Sequence, residues 1–240
     1  MKIPPLPLLL SFNAGFVDTA GFLALQGLFT AHVTGNFVTL GAALVLGTSG
    51  IVAKLIALPV FILFAGVSRL IGILVAARGG KPLAPLLTIQ SIFLFAVFGL
   101  AVWLGPFTNG DTAPAILTGM TAVAAMSIQN VVQRLHLGAA PPTTLMTGNT
   151  TQLVIDFVDL ALQIEPSQAA ARARMGRMAA GIGAFAAGCA LGALLIAKIH
   201  MWCFAMPPLV AVLTLFAERA AMQGQPDAAG GGKALAGKGG

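Results

Sequence analysis

The chain has 240 residues, of which 58% are hydrophobic and 8% charged, with a formal net charge of +6. A soluble domain carries about 25% charged residues, so this chain cannot cover itself with a solvated surface and reads as an integral membrane protein. The basic excess then belongs to cytoplasmic loops, and nucleic-acid binding is disfavoured.

The first predicted element is a membrane helix over residues 5–28. It resembles a signal peptide only at its start. Pro4, Pro5 and Pro7 come early, Asp18 falls inside, and the apolar run continues past Leu25, so it is a retained span. A carboxylate at that depth is costly, which makes Asp18 a functional-site candidate. Its other reading is a buried ion pair, most simply with Arg69 of the second span; the two are compatible. Asn13 and Gly15 either loosen the helix beside Asp18 or serve ordinary small-residue packing.

A Thr-Gly-Asn triplet, Thr34, Gly35 and Asn36, opens the next apolar run, residues 34–47. Its 14 residues reach about 21 Å as a helix, too short to cross the hydrocarbon core. Long apolar stretches follow at 51–77 and 83–104, the first with Ser68, Gly72 and Ala76 at four-residue spacing. A loop with Asn109 and Asp111 precedes the fourth long stretch, 113–135, which carries Gln129 and Asn130. The triplet then returns as Thr147, Gly148 and Asn149, opening residues 147–164. There Gln152, Asp156, Asp159 and Gln163 share one helix face, expensive in lipid. Asp156 and Asp159 are expected to form a solvated salt-bridge cluster with Arg172 and Arg174. The sequon Asn149-Thr150-Thr151 carries little weight in a membrane context. The last long stretches are 175–197, with Gly176, Ala180, Ala184, Gly188 and Gly192 every four residues, and 202–220. Such small-residue lines let helices approach closely, either within the chain or in a homo-oligomer. The tail, 223–240, is glycine-rich and expected to be disordered on the cytoplasmic side.

Loop charge selects the topology. If the six long stretches cross and the two triplet segments re-enter, then Arg78, Lys81, Arg134, Arg172, Arg174, Arg177, Lys233 and Lys238 all fall on the cytoplasmic side with both termini. Only Lys54 and Lys198 lie outside, near helix ends where they can snorkel.

The triplets stand 113 positions apart, and residues 30–41 align with 143–154 without a gap. Each follows one long stretch and precedes two more. The expected fold is an all-α membrane domain over residues 1–222, six spans arranged as an inverted 3+3 repeat (5–104 and 113–220) with two re-entrant half-helices. Thr and Asn are good N-caps, and half-helix N-termini present free N–H groups. The triplets, with Asp18, Gln129 and Asn130, therefore form the candidate solute-binding set; plain helix capping is the competing reading.

The stretches "GFVDTAGFLAL", "LFTAHVTGNFVTLGAAL" and "SIQNVVQRLHLGAAPPTTLMTGNTTQL" resemble the YoaK-like family of bacterial membrane proteins, a domain of unknown function, over residues 13–220. The resemblance implies a bacterial inner-membrane protein and no particular substrate. Cys189 and Cys203 form no CxxC motif, and His32, His136 and His200 are scattered. No catalytic residue, metal site or cofactor is expected. A secondary transporter or channel for a small polar or ionic solute is the leading expectation. A membrane scaffold or assembly factor is the alternative, with an intramembrane enzyme behind it.

Overall fold

The computed structural model describes residues 4–164 and 167–223. Among these the chain is all-α: α1 (Leu6–Ala24), α2 (Gly35–Leu46), α3 (Ile51–Ala77), α4 (Leu83–Leu104), α5 (Ala113–His136), α6 (Met146–Ala161), α7 (Gln168–Ile199), a 3-10 segment (His200–Ala205) and α8 (Met206–Gln223). Five continuous segments are long and apolar enough to cross a membrane: α1, α3, α4, α5 and the run Gln168–Ala220, which holds α7, the 3-10 segment and most of α8. Leu55, Ile62, Leu63 and Leu70 lie exposed along α3, as lipid-facing side chains do in a multi-pass helical membrane protein.

The helix ends follow local chemistry. Pro7 and Pro114 sit in the first turns of α1 and α5, where a missing N–H costs nothing. Pro207 and Pro208 likewise fix the start of α8 after the 3-10 segment. The first span is shorter than the expected 5–28, because Gln26 and Gly27 adopt positive φ and reverse the chain. The fifth is longer than 175–197. Its added turns include Arg172 and Arg174, good helix formers. Gln223 closes α8, and the rest of the expected tail lies outside the described residues.

Centre and periphery are distinct. Within the best apolar window, 61% of α1 and 67% of α5 are buried, against 11% for α3. α1 packs on α7 and α8, and α5 on α3 and α4. α2 packs only on α3, and α6 only on α7, among the described residues. The contact between α1 and α7 is backbone-close. A methyl group at Gly188 would overlap the Phe12 carbonyl oxygen, and one at Gly15 the Phe185 carbonyl oxygen. α1 is unbroken there, so Gly15 serves packing and does not loosen the helix. The buried line on α7 runs through Gly181, Gly188 and Gly192; Gly176 and Ala180 of the expected stripe are exposed.

One tie between distant loops has no local signature. Asp111, in the α4–α5 loop, accepts the backbone N–H groups of Gly50, Ile51, Val52 and Ala53 at 2.8, 3.1, 2.8 and 3.4 Å. It caps α3 from 60 residues away in sequence from Ile51. Beside it the buried Lys54 ammonium donates to the Gln26 and Ser49 carbonyls. Burial pulls the Asp111 carboxyl up, but the four N–H groups pull harder, leaving it below the usual carboxylate range.

Candidate functional site

Asp18 organises the first polar loop. The reversal at Gln26 and Gly27 brings residues 30–32 back alongside α1. Asp18 Oδ1 accepts from the Thr30 and Ala31 backbone N–H at 2.7 and 2.6 Å and from the Thr30 hydroxyl at 3.1 Å. Oδ2 accepts the His32 N–H at 3.2 Å and meets the His32 Nδ1 at 2.5 Å. Three successive N–H groups thus form a concave nest around one buried carboxylate. Asp18 does not pair with Arg69, which is exposed on α3. The salt bridges among the described residues are His32–Asp18 and Arg174–Asp156. The expected ion pair fails because the chain supplies nearer donors from its own loop.

The hydrogen bond that the His32 ring donates to Asp18 holds the imidazole pKa above its ordinary value. Burial works against this, and the Asp18 charge and the Thr144 backbone add to it. Thr144 belongs to the α5–α6 loop, so the two polar loops meet at this ring.

The second loop is tied by amides. Gln129, fully buried, accepts from the Gln90 amide at 2.8 Å and donates to the Leu10 carbonyl at 2.9 Å; it reaches the Thr143 hydroxyl at 3.4 Å. The Thr144 hydroxyl donates to Asn130 Oδ1 at 2.9 Å. The aligned pair Thr30 and Thr143 therefore meets an acid in one loop and an amide in the other. Gln129 and Asn130 divide the part that Asp18 plays alone.

Both triplet asparagines are internal staples. Asn36 donates to the Phe29 carbonyl and accepts the Phe29 N–H, each at 2.8 Å. Asn149 donates to the Pro142 carbonyl at 2.8 Å. Each reaches back seven residues, and position 142 has no N–H to return. The threonines do not cap. Thr34 holds the N-cap place of α2 in helical conformation with no side-chain bond, and Thr147 lies inside α6. The asparagine satisfies the loop instead, which frees the hydroxyls.

Thr34 and Gly35 line a cavity of about 590 Å³ with Asp18 and His32. α1 contributes Thr19 and Phe22 to it, and α7 contributes Phe185 and Cys189. The second triplet does not share this space. Thr147 lines a separate groove along α6, and a methyl group at Gly148 would meet no atom within 4 Å. The loops converge; the triplets do not.

Asp156 is buried rather than solvated. Arg174 grips it through two nitrogens at 2.7 and 2.8 Å, and the Gln152 amide adds a third donor at 2.8 Å. Arg174 holds its carboxyl below the usual range, against the effect of burial. Ala43, its counterpart in the repeat alignment, is buried too, so that face of α2 and α6 keeps its burial while changing its chemistry. Arg172 bonds Gln168. Thr19, Phe22, Phe29, His32, Phe185 and Cys189 are among the site residues that sequence reasoning missed. His32 carried one signal: it stands two residues before the triplet, within the aligned segment. Among the described residues no group of three or more His, Cys, Asp or Glu is placed to hold a metal ion.

No curated protein and no solved structure matches the chain. The model of the family described as protein of unknown function DUF1275 matches residues 6–217, nearly everything the helices comprise, and the chain belongs to that family.

Proposed function

We propose that the protein is a small secondary transporter for a polar or ionic solute, with Asp18 and His32 as its coupling centre. One observation carries this reading: a buried carboxylate, paired with a half-buried imidazole, faces a cavity at the point where two loops of matching sequence meet. An ionisable pair that deep is expensive and belongs to ion pathways more often than to packing. The imidazole can take and release a proton, and each state changes the charge seen from the cavity.

In this reading six helices span a bacterial inner membrane as an inverted repeat, and α2 and α6 re-enter. The packing supports it. Exchanging α1–α4 for α5–α8 turns the contact of α1 with α7 into that of α5 with α3. It also turns α2 on α3 into α6 on α7, and α4 on α5 into α8 on α1. The exposed Trp103 and Trp202 mark one end of the bundle as an aromatic belt. In this reading the basic Arg78, Lys81, Arg134 and Arg172 belong to the cytoplasmic side, where both termini are assigned as well.

A second reading is a membrane-embedded scaffold. It is favoured by the saturation of Asp18 with internal donors and by the glycine-tight α1–α7 contact. Reconstitution separates the two. A transporter couples proton movement to that of a solute in proteoliposomes, and Asp18→Asn or His32→Gln abolishes the coupling while the protein stays folded. A folded His32→Gln variant with unchanged proton-coupled uptake of an identified solute would remove the pair from the mechanism.

A further inference from the structure

The cavity beside the pair has a composition that narrows its ligand. Phe22, Phe29, His32 and Phe185 form a continuous line of rings, with neighbouring centroids 4.9, 6.4 and 5.6 Å apart. His32 meets Phe29 and Phe185 edge to face, at 69° and 81°. The polar groups facing the space are few: the pair itself, the Thr19 and Thr34 hydroxyls and the Cys189 thiol. Every Asp18 oxygen is already engaged by the loop. A small inorganic ion would therefore find no open shell of oxygen ligands, and an anion would meet a carboxylate. Aromatic faces around a net negative charge favour a weakly hydrated organic cation, which needs no hydrogen bond to replace its water.

Charge then links this ligand to the proton. With His32 protonated the pair is neutral. With His32 neutral it carries one negative charge. A monovalent cation and the His32 proton thus balance the same charge, and either one occupies the site at the expense of the other. The titratable groups facing the imidazole are Asp18 from α1 and Cys189 from α7. α2 and the α5–α6 loop bring Thr34 and Thr144, which do not titrate.

We propose that the cavity lined by Phe22, Phe29, His32 and Phe185 takes a monovalent organic cation in exchange for the His32 proton. The assignment rests on the coupling reading of the pair and names its substrate class. No bond forms or breaks beyond N–H at the imidazole, whose proton leaves to bulk solvent as the cation enters.

The test uses the full chain in lipid nanodiscs and benzyltrimethylammonium as the probe, with its uncharged carbon isostere neopentylbenzene as control. Calorimetry in two buffers of different ionisation enthalpy counts the protons released. The expected result is cation binding at pH 8, weakening by about tenfold per pH unit below the His32 midpoint and accompanied there by release of one proton, with no comparable binding of the isostere. His32→Gln should bind the cation equally at pH 8 and pH 5.5. Phe22→Leu, at a half-buried position that tolerates the change, should weaken binding by about threefold or more. A normal thermal transition in each variant establishes that it is folded. Absence of cation binding to the folded native protein at pH 8, pH-independent binding, or equal binding of the isostere would overturn the assignment. Uptake of another solute that needs Asp18 and His32, without cation binding, would overturn it while sparing the coupling role. Cation binding with no flux in proteoliposomes would uphold it and remove transport.

Discussion

The two polar loops share a plan and differ in charge. Each returns from a central helix, each lays a threonine against that helix, and each is stapled by an asparagine that reaches back seven residues to a loop carbonyl. In the first loop a carboxylate and an imidazole do the tying. In the second, neutral amides do it, and the ion pair has moved to the α6–α7 contact through Asp156 and Arg174. The difference teaches that the repeated backbone is a holder that does not depend on charge. What the first copy adds is a group that titrates beside a cavity.

The strongest way to break the comparison is to remove the central side chain of each loop. Asp18→Leu leaves three N–H groups, two of them buried, a hydroxyl and the imidazole without their acceptor, and should cost about 4 kcal/mol. Asn130→Leu removes the Thr144 hydroxyl bond and the amide's own bond to the Met126 carbonyl, already bonded within the helix, and should cost about 1 kcal/mol. Thermal unfolding in one detergent compares them, and equal losses would show that the charge does not organise the first loop. The staples give a smaller contrast. Asn36→Ala loses two backbone bonds and should cost about 2 kcal/mol, against about 1 kcal/mol for Asn149→Ala. A larger loss at Asn149 would contradict the seven-residue correspondence.

The third helix of each half sharpens the comparison further. α3 is capped by Asp111, whereas Ser167 at the start of α7 makes no side-chain cap bond. Asp111→Ala should cost about 1 kcal/mol and Ser167→Ala close to nothing. Because the Asp111 carboxyl sits below its ordinary value when folded, its contribution is present above about pH 4 and lost as pH falls through the folded value. Stability curves of native protein and Asp111→Ala should converge in acid.

The smallest expected effect is the pH dependence that only the first loop has. His32 is raised in the folded state. Its contribution is therefore complete below about pH 6.5 and fades as pH rises through the folded value. His32→Gln should flatten that part of the profile, and an unchanged profile would mean that the pair does not titrate there.

Much of this was legible in the chain. The long apolar runs placed α3 and α4 to the residue, because Gly and Pro punctuate their ends. The paired triplets marked the two loops, and the depth of Asp18 in an apolar run marked it as costly. Pairing was not legible. Arg69 looked like the partner because opposite charges in neighbouring spans attract, but a turn at Gln26 and Gly27 delivers donors from the next segment instead. Thr34 and Thr147 looked like caps because threonine caps helices; the asparagine beside each took the bonding, through a reach that helix periodicity does not encode. Asp156 looked solvated because nothing in the order of residues shows that Arg174 folds back over it. Asp111 and Gly50 are 61 positions apart, beyond any local pattern.

The first loop holds a coupled acid–base pair that the second lacks. Histidine-selective nuclear magnetic resonance of the full chain in nanodiscs reads this at the imidazole itself. The expected His32 midpoint lies above about 6.5, falls in Asp18→Asn and stays in place in Asn149→Ala. A midpoint at or below that value, unmoved by Asp18→Asn, would contradict that coupling.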